Sequence, residues 1–197
     1  MKSNYSPIVI SGPSGAGKSE LIDFLEKKDE IFMDAPGVTT RAKRENEMGN
    51  IEFISIDEFK RLIENDKLIQ YAKYNGNYYG TLKSSLKLLQ NRQLLFNIGL
   101  EGAKKIKQLC PNSQLIYILP PNKDEIIRRM GNRGSERYEI GVNQTMNSID
   151  LYDYLLISYT NELENIYEDF MNIYENKSNE KSLKLTRNRN FMRDFYK

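Results

Sequence analysis

Eight consecutive residues, Gly12-Pro13-Ser14-Gly15-Ala16-Gly17-Lys18-Ser19, fit the spacing GxxxxGK[ST], a pattern that holds a polyphosphate. The glycines let loop amides turn toward phosphate oxygens. Lys18 reaches the β- and γ-phosphates, and the Ser19 hydroxyl serves a magnesium ion. The pattern works only between a strand and a helix, and both flanks are present: Pro7 to Ile10 is apolar and β-branched, and Leu21, Ile22 and Leu25 recur at helical spacing. By itself the loop implies a nucleotide with Mg2+ and leaves switch GTPase, motor, small-molecule kinase and inert scaffold open.

Three further stretches carry groups suited to phosphate. "GVTTRAKRENE" (37–47) sets Arg41 and Arg44 three residues apart beside two threonines, and "YNGNYYGT" (74–81) follows about thirty residues later. "RRMGNRGSE" (128–136) places Arg129 and Arg133 four apart, on one helix face, where they can close over a transferring phosphoryl group. Two guanidinium forks and a tyrosine hydroxyl clamp a phosphomonoester and orient one of its oxygens. Such an oxygen is already anionic at neutral pH, so no general base is needed, and the chain contains no histidine. Asn122-Lys123-Asp124-Glu125 nearly matches the Asn-Lys-x-Asp of guanine-reading GTPases, but the acid is one place off. Because it follows Pro120 and Pro121, it reads as a helix start capped by Asn122 or Asp124.

The elements that must position these groups alternate. The pattern predicts strand 7–11, helix 18–28, a Gly/Thr/Arg-rich excursion with short strands over 37–82, helix 83–91, strand 93–99, helix 101–109, strand 114–119, helix 122–130, strand 154–158 and helix 160–175. Alternation of this kind implies an α/β fold with a parallel sheet covered by helices on both faces. A chain of 197 residues with 39% hydrophobic content can bury one sizeable core. The single cysteine, Cys110, excludes an internal disulfide and reads as a buried structural thiol, and without histidine there is no ordinary zinc site. The net charge of +2 does not call for a nucleic-acid partner. From residue 177 onward seven basic residues stand against two acidic ones, a solvated tail or a contact surface. The apolar run before Ser11 is too short for a membrane span or signal core, so a cytoplasmic protein is expected.

Taken together and in order, "GPSGAGKS", "TTRAKRENE", "GNYYGT" and "RRMGNRGSE" resemble the guanylate kinase family over roughly residues 6 to 175. The resemblance implies the P-loop NTPase three-layer fold, as a single domain over 1–197. Its core spans 1–36, 83–128 and 148–176, with a small mixed acceptor-binding subdomain at 37–82, a mobile lid at 129–147 and the basic tail at 177–197. It implies ATP- and Mg2+-dependent phosphorylation of a nucleoside monophosphate, GMP or dGMP, by a monomer or homodimer whose partners are small nucleotides. On the family's pattern Lys18, Arg41, Arg129 and Arg133 are catalytic. Residues Gly12 to Ser19 bind ATP, and Ser19 also serves the metal. Gly37, Arg41, Arg44, Glu47, Gln70, Tyr79, Thr81 and Asn97 bind the acceptor, Arg44 and Tyr79 on its phosphate, Glu47 orienting an arginine.

The departures gather at the base-reading end. The family's serine before TTR is Gly37 here, its glutamate before GNYYG is Gln70, and its tyrosine is either lost or replaced by Phe53. Two aspartates of the strand end in "LLFNIGLEG" become Asn97 and Gly99, with Glu101 able to compensate if the strand persists that far. A third lid arginine aligns with Gln144, with Arg137 close by. A ribose 1,5-bisphosphate phosphokinase of similar fold also has asparagine and glycine in that strand, and guanylate-kinase-like binding modules of scaffold proteins are non-catalytic. A different phosphomonoester acceptor and a binding module are therefore the alternatives to GMP phosphorylation. A glutamine offers one acceptor and one donor where glutamate offers two acceptors, so selectivity for GMP is expected to be weaker than the family's pattern implies.

Overall fold

Ile8, Val9 and Ile10 are all fully buried, as a strand covered on both faces requires. In the computed structural model, which describes residues 5–43, 50–74, 76–130, 149–159 and 162–175, they form β1 (Ile8–Ser11) at the centre of a five-stranded sheet. Its companions are β2 (Phe32–Asp34), β7 (Gln93–Asn97), β8 (Gln114–Leu119) and β9 (Tyr154–Ile157). They run in the order β2-β7-β1-β8-β9 with every neighbouring pair parallel. Helices α1 (Lys18–Lys28) and α5 (Leu163–Tyr174) cover one face, where Leu21, Leu25, Ile166 and Phe170 pack on Ile8, Ile10 and Ile116. Helix α3 (Leu100–Leu109) covers the other, setting Ala103 and Ile106 against Val9, Leu94 and Phe96. Each such aliphatic or aromatic side chain contributes about 1.5–3 kcal/mol by leaving water, so the three layers hold the sheet's carboxyl edge in place. Helix α4 (Lys123–Met130) follows β8.

The Gly/Thr/Arg-rich excursion folds into a second, mixed sheet. It comprises β3 (Gly37–Thr39), β4 (Ile51–Phe53), β5 (Leu68–Tyr74) and β6 (Asn77–Leu82), ordered β4-β3-β6-β5. Helix α2 (Ile56–Glu64) drives Phe59 onto Val38 and Leu68 and stacks it on Tyr78 with ring centroids 5.2 Å apart. Gly80 makes room for this, since a Cβ there would lie 3.0 Å from the Phe59 ring. A capping box starts the helix, with Ser55 and Glu58 each satisfying the other's backbone amide.

Several expectations change in the structure. The strand expected over 93–99 ends at Asn97, and α3 begins at Leu100 with Gly99 as its N-cap. Residues 97, 99 and 101 therefore share no strand face, and Glu101, on the helix, pairs with Lys104 at 2.8 Å in solvent. It does not replace the missing aspartate. The helix expected over 83–91 is a 3-10 segment, Lys83–Gln90, in which Ser85 Oγ donates to the Leu82 carbonyl and competes with regular helical bonding. Cys110 is only half-buried, because it ends α3 instead of entering the core. The cap of α4 is Asn122, whose Oδ1 accepts from the Glu125 amide at 2.9 Å.

Candidate active site

The loop from Gly12 to Gly17 links the end of β1 to α1, so the helix N-terminus opens at the carboxyl edge of the parallel sheet, where such folds bind ligands. Gly17 caps α1 in the left-handed conformation (φ 89°), and no side chain caps the helix, which leaves first-turn amides to an incoming anion. A side chain at this position would be strained by the left-handed backbone, and its Cβ would crowd Ser158 Oγ at 3.0 Å. Lys18 curls back over the loop and donates to the carbonyls of Gly12 (2.9 Å) and Pro13 (2.8 Å). Burial pulls its ammonium down to about 8, so phosphate charge arriving there restores a proton affinity that the protein alone has weakened.

Ser19, one residue on, is exposed, and its Oγ accepts from Asn97 Nδ2 at 3.1 Å. That contact ties the phosphate loop to the end of β7. Beside it a cleft opens between the two sheets, lined by Asp34, Gly37, Ile51, Gln70, Tyr79, Thr81 and Asn97 among others. Five sequence-derived acceptor candidates, Gly37, Gln70, Tyr79, Thr81 and Asn97, are thus brought together. Gln70 donates through Nε2 to Thr81 Oγ1 at 3.3 Å, while its stem leans on Gly102 of α3. Gly37 lies across from Thr81 in the β3–β6 pairing, and a Cβ there would press on the Gly80 carbonyl at 3.2 Å. Arg41 leaves β3 at the rim of this sheet, its guanidinium 5.2 Å over the Phe53 ring. Phe53 is therefore a platform for an arginine. The candidates Arg44, Glu47 and Arg133, with Arg137 and Gln144, lie outside the described residues.

Arg129 is on α4 and sits on the opposite flank of the loop. It is held by Glu125 at 2.7 Å and by Ser158 through both Oγ (2.9 Å) and carbonyl oxygen (2.8 Å). Its side chain is 15% exposed against 61% for Arg128, so Arg129 turns into the protein while Arg128, also paired with Glu125, turns to solvent. With Glu20, Ser158, Tyr159 and Ile166 these arginines line a second cleft beside β9, across the sheet from the first.

Sequence reasoning assigned no role to a threonine pair, a serine and an aspartate. Thr39 and Thr40 lock the "TTR" segment to β6: Thr39 Oγ1 donates to the Tyr78 carbonyl and Thr40 Oγ1 accepts from its amide. Ser158 had no motif to mark it. Asp34 is the third. Burial, with Glu26 and Asp23 nearby, pushes its carboxyl up to about 7 against a hydrogen bond from the Ala35 amide. A raised carboxylic pKa means that the folded chain binds more protons than the unfolded one between about pH 4 and pH 7. Stability contributed by neutral Asp34 is therefore present at the acid end of that window and lost as pH rises through it. Wild type should unfold at lower urea at about pH 7.5 than at about pH 5, by on the order of 2 kcal/mol, and Asp34→Asn should flatten that slope. An equal slope in the variant would place the titration elsewhere.

A parallel sheet that presents a phosphate-binding loop and a basic residue on each flank, with a mixed sheet beside it, is the framework of a P-loop phosphotransferase. The comparisons with known proteins narrow this class. The family profile described as guanylate kinase matches residues 4–177. Guanylate kinase from Prochlorococcus marinus (strain MIT 9312) is 40% identical over 143 residues, covering 71% of this chain and 78% of that protein. The enzyme from Fusobacterium nucleatum is 34% identical over 178 residues, covering 85% and 95%. The crystal structure of guanylate kinase from Anaplasma phagocytophilum superposes with a TM-score of 0.68 at 25% identity, over 95% of this chain and 94% of that one. The chain belongs to the guanylate kinase family. Among the described residues no helix is long and apolar enough to cross a membrane.

Proposed function

We propose that this chain moves the γ-phosphoryl group of ATP to the phosphate of GMP or dGMP, giving GDP or dGDP. The observation that carries the reading is the Asn97–Ser19 contact, which joins an intact phosphate loop to a cleft lined by the acceptor candidates. Gly12 to Ser19 grip the donor, with Lys18 shielding the β- and γ-phosphates. Arg41, Arg44 and Tyr79 clamp the acceptor phosphate, Glu47 orients an arginine, and Gly37, Gln70, Thr81 and Asn97 line the rest of the acceptor site. Arg129 and Arg133 meet the charge that spreads over the transferring group. The residues 37–82 then act as the acceptor-binding unit, 129–147 as the lid and 177–197 as an appended basic tail, in a cytoplasmic monomer or homodimer.

The donor set also suits Mg2+. Among the described residues no cluster of three or more acidic or thiol side chains is arranged to hold a metal ion. An exposed serine hydroxyl beside phosphates is the sparse coordination that a largely hydrated magnesium ion takes, and Asn97 is placed to meet a water of its shell. When bound, the ion neutralises phosphate charge. Asn97 lacks the negative charge of an aspartate, so the magnesium concentration for half-maximal rate should be higher than an aspartate at this place would set.

Steady-state assays on Arg41→Ala test the clamp. Loss of a charged fork contact is worth about 1.5–3 kcal/mol, so the acceptor KM should rise about 10- to 150-fold while the ATP KM stays within about twofold. Equal weakening of ATP would assign Arg41 to the donor instead. Chromatographic detection of GDP from ATP and GMP tests the reaction itself, and its absence would remove the reading.

A further inference from the structure

We infer that Asp34 reads the acceptor's base, receiving the paired N–H donors of a guanine edge in place of the hydrogen-bond pair that Gln70 does not supply. The inference rests on the reading of this cleft as a GMP site. Asp34 is the one carboxylate among the described residues lining it. It is the last residue of β2, paired in register with Leu95 of β7, two positions before Asn97. It therefore stands at the same carboxyl edge as the phosphate loop.

Its main chain is already committed. The Asp34 amide donates to Glu26 Oε1 at 2.9 Å, and its carbonyl accepts from Asn50 Nδ2 at 3.1 Å. What remains for a ligand is the carboxyl group. The described groups that bear on that carboxyl are Glu26 and Asp23 from α1 and the Ala35 amide, so it stands among acids with a single main-chain donor. Incoming N–H donors stabilise the charged form of such a carboxylate and add no further negative charge.

Guanine supplies them. Its N1–H and 2-amino group form a donor pair, matched by two carboxylate oxygens and mismatched by an amide. Gln70 donates one N–H of Nε2 to Thr81, and its amide offers a single oxygen to a ligand with two donors. Restoring the family's serine at 37 would crowd the Gly80 carbonyl. A single carboxylate from β2 in place of several readers supports a preference for guanine, though a narrower one.

The test is equilibrium binding and turnover of GMP, IMP and AMP by wild type and by Asp34→Asn, which keeps the shape and replaces the acceptor pair with one donor and one acceptor. IMP carries N1–H without the 2-amino group, so it isolates the second contact. In Asp34→Asn the GMP KM and Kd should rise about tenfold or more, the ATP KM should stay within about twofold, and the GMP-to-IMP preference should fall toward one. An unchanged GMP-to-IMP ratio in a variant that still binds ATP would overturn the role of Asp34 while leaving GMP phosphorylation standing.

Wild type gives a second reading without mutation. Its GMP-to-IMP ratio should widen from about pH 6 to about pH 8 as the carboxyl ionises, because both ligands share the same phosphate titration. A flat ratio would overturn the assignment even if the variant failed to fold. Wild type that neither binds nor phosphorylates GMP would remove both this inference and the reading beneath it.

Discussion

Lys18→Ala will lower the rate of phosphoryl transfer by ~10³-fold or more in a protein that still folds. The ammonium sits over the loop on the Gly12 and Pro13 carbonyls, and on the proposed reading it meets the β- and γ-phosphates of a bound nucleotide from there. No other cation among the described residues is held at that place, and Arg129 is kept on the far flank by Glu125 and Ser158. Folding should survive because the apolar core under α1 is built from Leu21, Ile22 and Leu25, not from Lys18. ADP release under saturating ATP and acceptor, with circular dichroism as the check on folding, measures the effect. Turnover within about tenfold of wild type would show that the loop grips the donor without this residue.

Gly12→Ala is expected to be as damaging by a different route, through the fold. Gly12 has φ 151°, and a Cβ there would lie 2.2 Å from the Ile118 carbonyl oxygen, a backbone atom of β8 that cannot swing aside. Strained backbone and overpacking each cost about 1–3 kcal/mol, so the sum is on the order of 3 kcal/mol or more, a large share of a domain's stability. Whatever folded protein remains should carry a displaced Gly12 carbonyl and a misplaced Lys18. Gly99→Ala is the milder comparison: nothing lies within 4 Å of a Cβ at that position, so it should lose no more than about 0.5–2 kcal/mol, the cost of an alanine at an N-cap. A Gly12→Ala protein of wild-type stability and rate would mean that the strand shifts freely, contrary to the packing of β1 against β8.

The phosphate loop was legible in the sequence because its chemistry is local: eight contiguous residues fix the turn, and the flanking apolar periodicities declare strand and helix. The parallel sheet followed for the same reason, from alternating segments with short connections. The end of β7 was harder to read. "LLFNIGLEG" stays apolar through Ile98, and nothing local reveals that Gly99 begins a helix, since its capping role depends on where α3 packs against Val9 and Phe96. The 3-10 turn at 83–90 hinged on one serine hydroxyl bonding backward. Asp34 drew no attention in the sequence because "MDAPG" carries no spacing signal. It lines the cleft between the two sheets only through the pairing of β2 with β7, a contact between residues some sixty positions apart. Likewise Ser158 and Thr40 matter through what they hold in place, and a motif does not report that.

The central claim is ATP-dependent phosphorylation of a monophosphate with a relaxed preference for guanine. Its most direct measurement is ADP release on a panel of GMP, dGMP, AMP, CMP, UMP, dTMP, IMP and ribose 1,5-bisphosphate at fixed ATP and magnesium. The expected result is turnover with GMP and dGMP leading and at least one further acceptor accepted at a measurable fraction of the GMP rate. Selectivity should fall short of the roughly 10⁴- to 10⁵-fold discrimination that a fully matched hydrogen-bonding site achieves. Release of ADP with GMP alone would contradict the reading of Gly37 and Gln70 as lost base contacts, and no ADP release with any acceptor would contradict the account as a whole.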